Sequence, residues 1–306
     1  MTIINTLIPI FFLIMLGYTF KHLKFPHEDF WKYLDKLNYF VLFPSLLVYK
    51  LSTANIQNIN GFDFVLTAFI SIFILSFLLI VYNKIFTFEA SSFTSIFQGA
   101  IRFNTYVLLA LVDAYMGDEG LVLALFLMTF VIPLLNILCI SIFSIYVPND
   151  KVTPLSFIKS VLYNPLIIAC ISGGALNFFS IDLPLVMQST LSIMSSAALP
   201  LGLLSVGVGL HLSSLRETKS ALFVSSILKL IIFPFIIMGV SYMIGLDKTQ
   251  TTVLVLFASL PTASSAYVLA RELGGDLKLI SSIISLQTLL SAVSIFVFLK
   301  LVDILL

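Results

Sequence analysis

The stretch Leu256–Phe257–Ala258–Ser259–Leu260–Pro261–Thr262–Ala263–Ser264–Ser265–Ala266 lies in the middle of an apolar run, 249–273, that is otherwise long enough to cross a bilayer as one helix. Proline removes a backbone donor and pushes the residue before it out of helical geometry. In hydrocarbon the freed carbonyls need partners, so such a break persists where it is buried in protein or lines a cavity. Hydroxyl groups crowd this one: Ser259, Thr262, Ser264 and Ser265, with Thr252 a little upstream. A simple proline kink patched by Ser and Thr is the plain reading. A broken helix that opens its backbone to a ligand is the functional one.

Composition decides the setting of that run. Of 306 residues, 59% are hydrophobic and 10% charged, against roughly 45–50% and about 25% in an ordinary soluble domain; mean hydropathy is +1.11. The chain is a membrane protein with no room for a soluble catalytic domain. Apolar runs fall near 3–20, 33–50, 62–84, 92–116, 119–146, 155–179, 184–211, 219–244, 249–273 and 277–305. Their continuity excludes a transmembrane β-barrel, whose strands alternate over about ten residues. The expected class is therefore all-α and polytopic, with ten spans. The first run has no basic stretch before it and no small-residue cleavage site before Lys21, so a retained helix is expected rather than a signal peptide.

Sixteen Lys+Arg against fifteen Asp+Glu give a formal charge of +1, which offers no field for a nucleic-acid partner. The distribution is more telling. Lys21, Lys24, Lys32, Lys36, Lys84, Lys151, Lys159, Arg216, Lys219, Arg271 and Lys278 fall on one set of loops, and Lys50, Lys248 and Lys300 on the other. An 11:3 bias predicts a cell-membrane (plasma or inner) protein with both termini extracytoplasmic. Cys139 and Cys170 lie in apolar runs with no Cys or His at ligand spacing, so no metal, disulfide or other cofactor is expected. His22, His27 and His211 sit at span ends or in loops and read as solvated.

Sliding the chain against itself at an offset of 156 places Pro9 on Pro165, Gly17 on Gly173, Pro44 on Pro200, and Ala110, Val112 and Ala114 on Ala266, Val268 and Ala270. Every span of the first half then lands on one of the second. Five crossings is an odd number, so a second copy enters from the opposite face: a 5+5 inverted repeat, 1–148 and 155–306, joined by the polar link Pro148–Pro154. That architecture belongs chiefly to secondary transporters.

A charge near mid-bilayer costs about 2.5–3.5 kcal/mol on insertion scales. Arg102 lies in Gln98–Gly99–Ala100–Ile101–Arg102–Phe103–Asn104–Thr105 with no carboxylate at i±3 or i±4. Its partner is a substrate anion, a carboxylate of another helix, or the headgroups reached by snorkelling. Lys229 reads as a snorkelling side chain near a span end. Subtracting 156 from Pro261 gives Thr105, beside Asn104, so two weakly helical points occupy equivalent places in the halves. Matched interruptions point to a binding site, because half-helix N-termini present free N–H groups to anions. The small-residue face Leu201–Gly209 in span seven reads as helix packing. Gly274–Gly275–Asp276 lies in a loop without the second intramembrane aspartate a protease would need.

Val41–Leu42–Phe43–Pro44–Ser45–Leu46–Leu47, Asn164–Pro165–Leu166–Ile167–Ile168–Ala169, Pro261–Thr262–Ala263 with Tyr267–Val268–Leu269–Ala270, and Arg102 with Asn104–Thr105 resemble the auxin efflux carrier family, whose bacterial members are often described as malate or malonate permeases. The similarity runs from the first span to the last. It implies the ten-helix fold shared with bile-acid symporters and sodium/proton antiporters. Spans 1, 2, 6 and 7 (about 3–50 and 155–211) would be a scaffold, and spans 3–5 and 8–10 (about 62–146 and 219–305) a transport domain with broken, crossing spans 4 and 9. Leu109–Ala110–Leu111 replaces the family's Gly-x-Pro, which leaves the break in span four open. Ala266 replaces a proline of plant members, and their long cytoplasmic loop is absent, so auxin is not the expected substrate.

The resulting expectation is a secondary transporter of a small organic anion, a mono- or dicarboxylate, embedded in the lipid bilayer. Arg102, Asn104, Thr105, Pro261, Thr262 and Ser265 are the expected binding residues. Coupling to a proton or sodium is left open, and a homodimer is compatible with the fold. The alternatives are a sodium-coupled bile-acid-like symporter and a membrane sensor or relic that kept the fold without transport. No enzyme activity is expected.

Overall fold

A computed structural model describes residues 3–54, 61–147, 164–212 and 219–306. The Pro148–Pro154 link, the beginning of span six, and Lys151, Lys159 and Arg216 lie outside the described residues. The elements are α1 (Ile3–His22), α2 (Glu28–Leu37), α3 (Phe43–Ser52), α4 (Gly61–Phe86), α5 (Ala90–Ile101), α6 (Thr105–Tyr146), α7 (Pro165–Phe178), α8 (Leu185–Val208), α9 (Lys219–Ile227), α10 (Phe233–Ile244), α11 (Lys248–Ser259), α12 (Ser265–Leu273) and α13 (Leu277–Leu305). Among the described residues, six stretches are long and apolar enough to cross a membrane: Ile3–His22, Gly61–Phe86, Ala90–Tyr146, Leu185–Val208, Ser220–Ile244 and Leu277–Leu305. The protein is thus an all-helical, polytopic membrane protein.

The faces of α4 show why lipid is its solvent. Its buried stripe, Phe64, Thr67, Ala68, Ser71, Ile72 and Leu75, follows helical spacing and includes hydroxyls. Phe62, Phe73 and Phe77 are exposed on the opposite side. The outside is at least as apolar as the inside, the reverse of a soluble amphipathic helix.

Two spans change pitch before a proline. α2 passes into α3 through a π-turn, Asn38–Leu42, and α9 into α10 through another, Leu228–Ile232. In each, the residue before proline bonds five back: Phe43 N–H donates to the Asn38 carbonyl, and Phe233 N–H to the Leu228 carbonyl. The wider turn gives room to Pro44 and Pro234, whose rings would otherwise meet a carbonyl of the preceding turn. α6 is interrupted at Gly117, whose φ of 67° and ψ of −154° suit glycine alone.

The chain forms two compact units, one of Met1–Ile59, Leu109–Thr129 and Pro154–Gly209, the other of Asn60–Leu108, Phe130–Thr153 and Leu210–Leu306. In the first, α1 packs on α8, and α3 on α7 and α8. A Cβ at Gly17 would strike the Leu204 backbone, and one at Gly207 the Ile14 backbone. A Cβ at Gly173 would press on the Val48 backbone at 3.0 Å. Gly207 of span seven, with Gly17 and Gly173, therefore sets helix approach. In the second unit, α5 from Phe93 to Ile101 and α11 from Gln250 to Ser259 are buried throughout.

Lys229 overturns its sequence reading. It does not snorkel: it lies within the second π-turn, 0% exposed, with Nζ 4.7 Å from the Phe233 ring centroid and 5.3 Å from that of Phe257. Its Nζ makes no hydrogen bond among the described residues. Leu222, Ser225 and Ser226 are buried at helical spacing before it and Phe233 after it, so Lys229 stands on the inward face of this span.

Candidate functional site

The second unit contains both interruptions. α5 ends with Arg102 N–H donating to the Gln98 carbonyl at 3.0 Å; Arg102 then turns extended, with ψ of 160°. Asn104, also extended, opens α6 by accepting the Val107 N–H on its Oδ1 at 3.2 Å. Span four is therefore broken at 102–104, although Leu109 and Leu111 replace the family's glycine and proline. In span nine α11 ends at Ser259, Leu260 is extended with ψ of 155°, and α12 starts at Ser265. Proline accounts for this second break. An asparagine cap and a partner segment account for the first.

The partner is the other break. Asn104 N–H donates to the Pro261 carbonyl at 2.8 Å. Thr262 Oγ1 donates to the Gly99 carbonyl at 2.6 Å, and its N–H donates to Gln287 Oε1 at 2.9 Å. Gln287 Nε2 also donates to the Gly99 carbonyl, at 2.9 Å. Carbonyls and N–H groups orphaned by the two interruptions thus satisfy one another with the help of α13, as a low-dielectric setting demands. Phe103 packs edge-on against Phe257, centroids 4.8 Å apart. Gly99 admits the close approach of α9 and α13, because a Cβ there would strike the Ser225 hydroxyl and meet Ile283 at 2.7 Å.

Arg102 is the charge beside this crossing. Its guanidinium is partly buried and donates to Asn136 Oδ1 at 3.1 Å, Ser265 Oγ at 3.4 Å and Gln98 Oε1 at 3.4 Å. The Cys139 thiol also faces it. Every hydrogen-bond acceptor is neutral: among the described residues it forms no ion pair. Five N–H donors held by three uncharged oxygens leave donor capacity and a whole positive charge for an anion.

The expected site residues thus divide. Arg102 and the exposed Ser265 are joined by a hydrogen bond, and Thr105 is partly buried at the start of α6. Asn104, Pro261 and Thr262 are buried and build the crossing; Thr262 has both its hydroxyl and its N–H engaged. Gln98, Asn136 and Gln287 were missed. An amide side chain in an apolar span costs energy unless bonded, so the three could have been sought by that rule, and Gln98 stands at i−4 from Arg102.

Matched against known families, residues 2–299 fit that of membrane transport proteins. The chain belongs to the auxin efflux carrier family. It is a membrane transporter and not an enzyme. A Rhizobium meliloti protein named "Putative malonate transporter" is 24% identical over 308 residues, covering 96% of this chain and 93% of that one. An "Uncharacterized transporter" of Methanothermobacter thermautotrophicus is 36% identical over 138 residues, 45% of each chain. One from Methanocaldococcus jannaschii is 30% identical over 139 residues, covering 44% of this chain and 45% of that one. The chain therefore spans less than half the length of the two archaeal relatives it matches, and nearly all of the bacterial one.

Proposed function

We propose that this chain carries a small organic anion, a mono- or dicarboxylate, across the cell membrane by alternating access around the crossing of spans four and nine. The observation that carries this reading is Arg102: a guanidinium at a broken span, hydrogen-bonded to Gln98, Asn136 and Ser265 and paired with no carboxylate among the described residues. A full charge inside a membrane protein needs a counter-charge, and an incoming carboxylate supplies one. Thr105 and Ser265 open the half-helices that follow the breaks, so the positive dipole ends of those helices add to the charge of the guanidinium. The relative named for malonate supports a short dicarboxylate as the first compound to test.

Alternating access is supported by an internal symmetry of contacts. Gly17 presses on Leu204, and Gly173 on Val48; adding 156 to 17 and 48 gives 173 and 204. An exchange of partners at one constant offset is what an inverted 5+5 repeat requires, with residue n equivalent to n+156. In this reading ten spans form the repeat, both termini are extracytoplasmic, and spans 3–5 and 8–10 move against 1, 2, 6 and 7.

Uptake of labelled malonate by proteoliposomes, with malonate binding to the purified protein measured by calorimetry, tests the reading. Binding weakened at least about tenfold in Arg102→Ala, with uptake falling alongside it and an unchanged melting curve, is expected. Full binding in that variant places the anion elsewhere.

A further inference from the structure

We infer that the site accepts its substrate as a singly charged anion, so that a dicarboxylate enters with one proton on its second carboxyl group. The inference rests on the anion reading above and extends it to charge state and coupling. Its ground is the charge inventory at the crossing. Arg102 is the one full charge that bonds there among the described residues; Gln98, Asn136 and Ser265 are neutral. Of the other ionisable groups on the elements that meet it, Tyr106, Tyr115 and Tyr146 stand on α6 and Tyr267 on α12, and Asp276 at the head of α13 accepts from the Ser92 hydroxyl at 3.3 Å. α5 ends in Arg102 itself. On α6, Asp113, Asp118 and Glu119 lie around the Gly117 interruption, with Asp118 bound to Lys50 at 2.6 Å. On α11, Lys248 pairs with Asp303 of α13 at 3.4 Å. Arg271 and Glu272 are exposed in the last turn of α12, and Lys278 is exposed in the first turn of α13. Lys300 is exposed near the far end of α13. Lys229 is enclosed by Phe233 and Phe257. Cys139 is a neutral contact of the guanidinium.

One positive charge in a medium of low dielectric balances one negative charge. A dianion leaves its second carboxylate to be solvated by hydroxyls and amides alone, while its protonated form offers an O–H donor and an acceptor to the same groups. Ser265 is exposed, hydrogen-bonded to the guanidinium, and suits a neutral carboxyl. Gln98 sharpens the case. Its Oε1 faces Arg102, which fixes the orientation of the amide, and its Nε2 is buried with no partner among the described residues. That unspent donor favours a carbonyl or carboxylate oxygen without adding charge. The balance is simple: the dicarboxylate dianion takes one proton from water, the hydrogen dicarboxylate binds, and the proton dissociates after release on the other side. Coupling to protons then needs no titrating carboxylate of the protein.

Calorimetry on the purified full chain tests this, with malonate and its monomethyl ester as probes, in two buffers of different ionisation enthalpy. Above the second ionisation of malonate, each bound malonate is expected to take up one proton, and its apparent affinity to fall about tenfold per pH unit as the competent fraction shrinks. The monomethyl ester, a monoanion throughout, should bind with no proton uptake and no such slope. Gln98→Glu, which places a carboxylate against Arg102, should weaken ester binding at least tenfold. Malonate binding without proton uptake overturns the inference and leaves the anion reading standing. Proton uptake with the ester as well assigns the proton to the protein and overturns it equally. If neither probe binds the wild-type chain, the anion reading falls, and this one with it.

Discussion

The two interruptions of the second unit reach the same shape by different means. Span nine breaks where Pro261 follows an extended Leu260, and its second half-helix begins at Ser265, before which Ser264 makes no side-chain cap. Span four breaks with no proline at all: Asn104 caps the new helix through its side chain and ties its own N–H to Pro261. One break is written into covalent structure, while the other depends on hydrogen bonds that its neighbour provides. They also differ in duty. The span-nine side holds the crossing together through Thr262, and the span-four side brings the charge.

The largest effect should fall on that charge. Arg102→Ala is expected to weaken malonate binding by about 1.5–3 kcal/mol, roughly ten- to a hundredfold, and Arg102→Lys by less. Calorimetric affinities for the two variants, beside their melting curves, check both. Equal losses would mean that the forked geometry of the guanidinium is indispensable rather than its charge alone.

Thr262→Val comes next and should act on stability. It removes a buried donor from the Gly99 carbonyl, which Gln287 then holds alone; a cost of about 1–3 kcal/mol is expected. Thermal unfolding in detergent would show it, and an unchanged melting temperature would deny the crossing its anchor.

Asn104→Ala removes the cap of α6 and should cost about 1 kcal/mol. Pro261→Ala, by contrast, leaves the inter-span bond possible, since the Pro261 carbonyl is backbone. It should impair transport more than binding, because the break is then free to close toward a regular helix. Uptake and affinity measured on both variants separate the two kinds of break. Identical profiles would erase the distinction. The smallest effect belongs to Ser264→Ala, expected within about 0.5 kcal/mol because that exposed residue caps nothing through its side chain.

Legibility in the sequence follows the same division. Pro261 announces its break because proline acts on its own residue and the one before it. Span four lacks the family's glycine and proline, and its break was open until the structure placed Asn104 against Pro261. The neighbours of Arg102 were hidden for a related reason: Asn136 lies 34 residues away and Ser265 lies 163 away, so no local spacing joins them. Lys229 was misread because a place near a span end says nothing of what packs there: it stands on the buried face with Leu222 and Ser226, enclosed by Phe233 and by Phe257 of another span.

By itself the sequence determined the solvent of this protein and the nature of its elements. Apolar runs longer than a bilayer crossing can be satisfied in lipid only as helices, and both faces of such helices are apolar. It also determined the proline break and the presence of a charge that needs a partner. The tertiary structure alone decided which orphaned carbonyl meets which donor, and that Arg102 is held by neutral oxygens while Lys229 is shut away. Those outcomes depend on side chains far apart in the chain arriving at one place, and burial and hydrogen bonding are properties of that meeting rather than of any one residue.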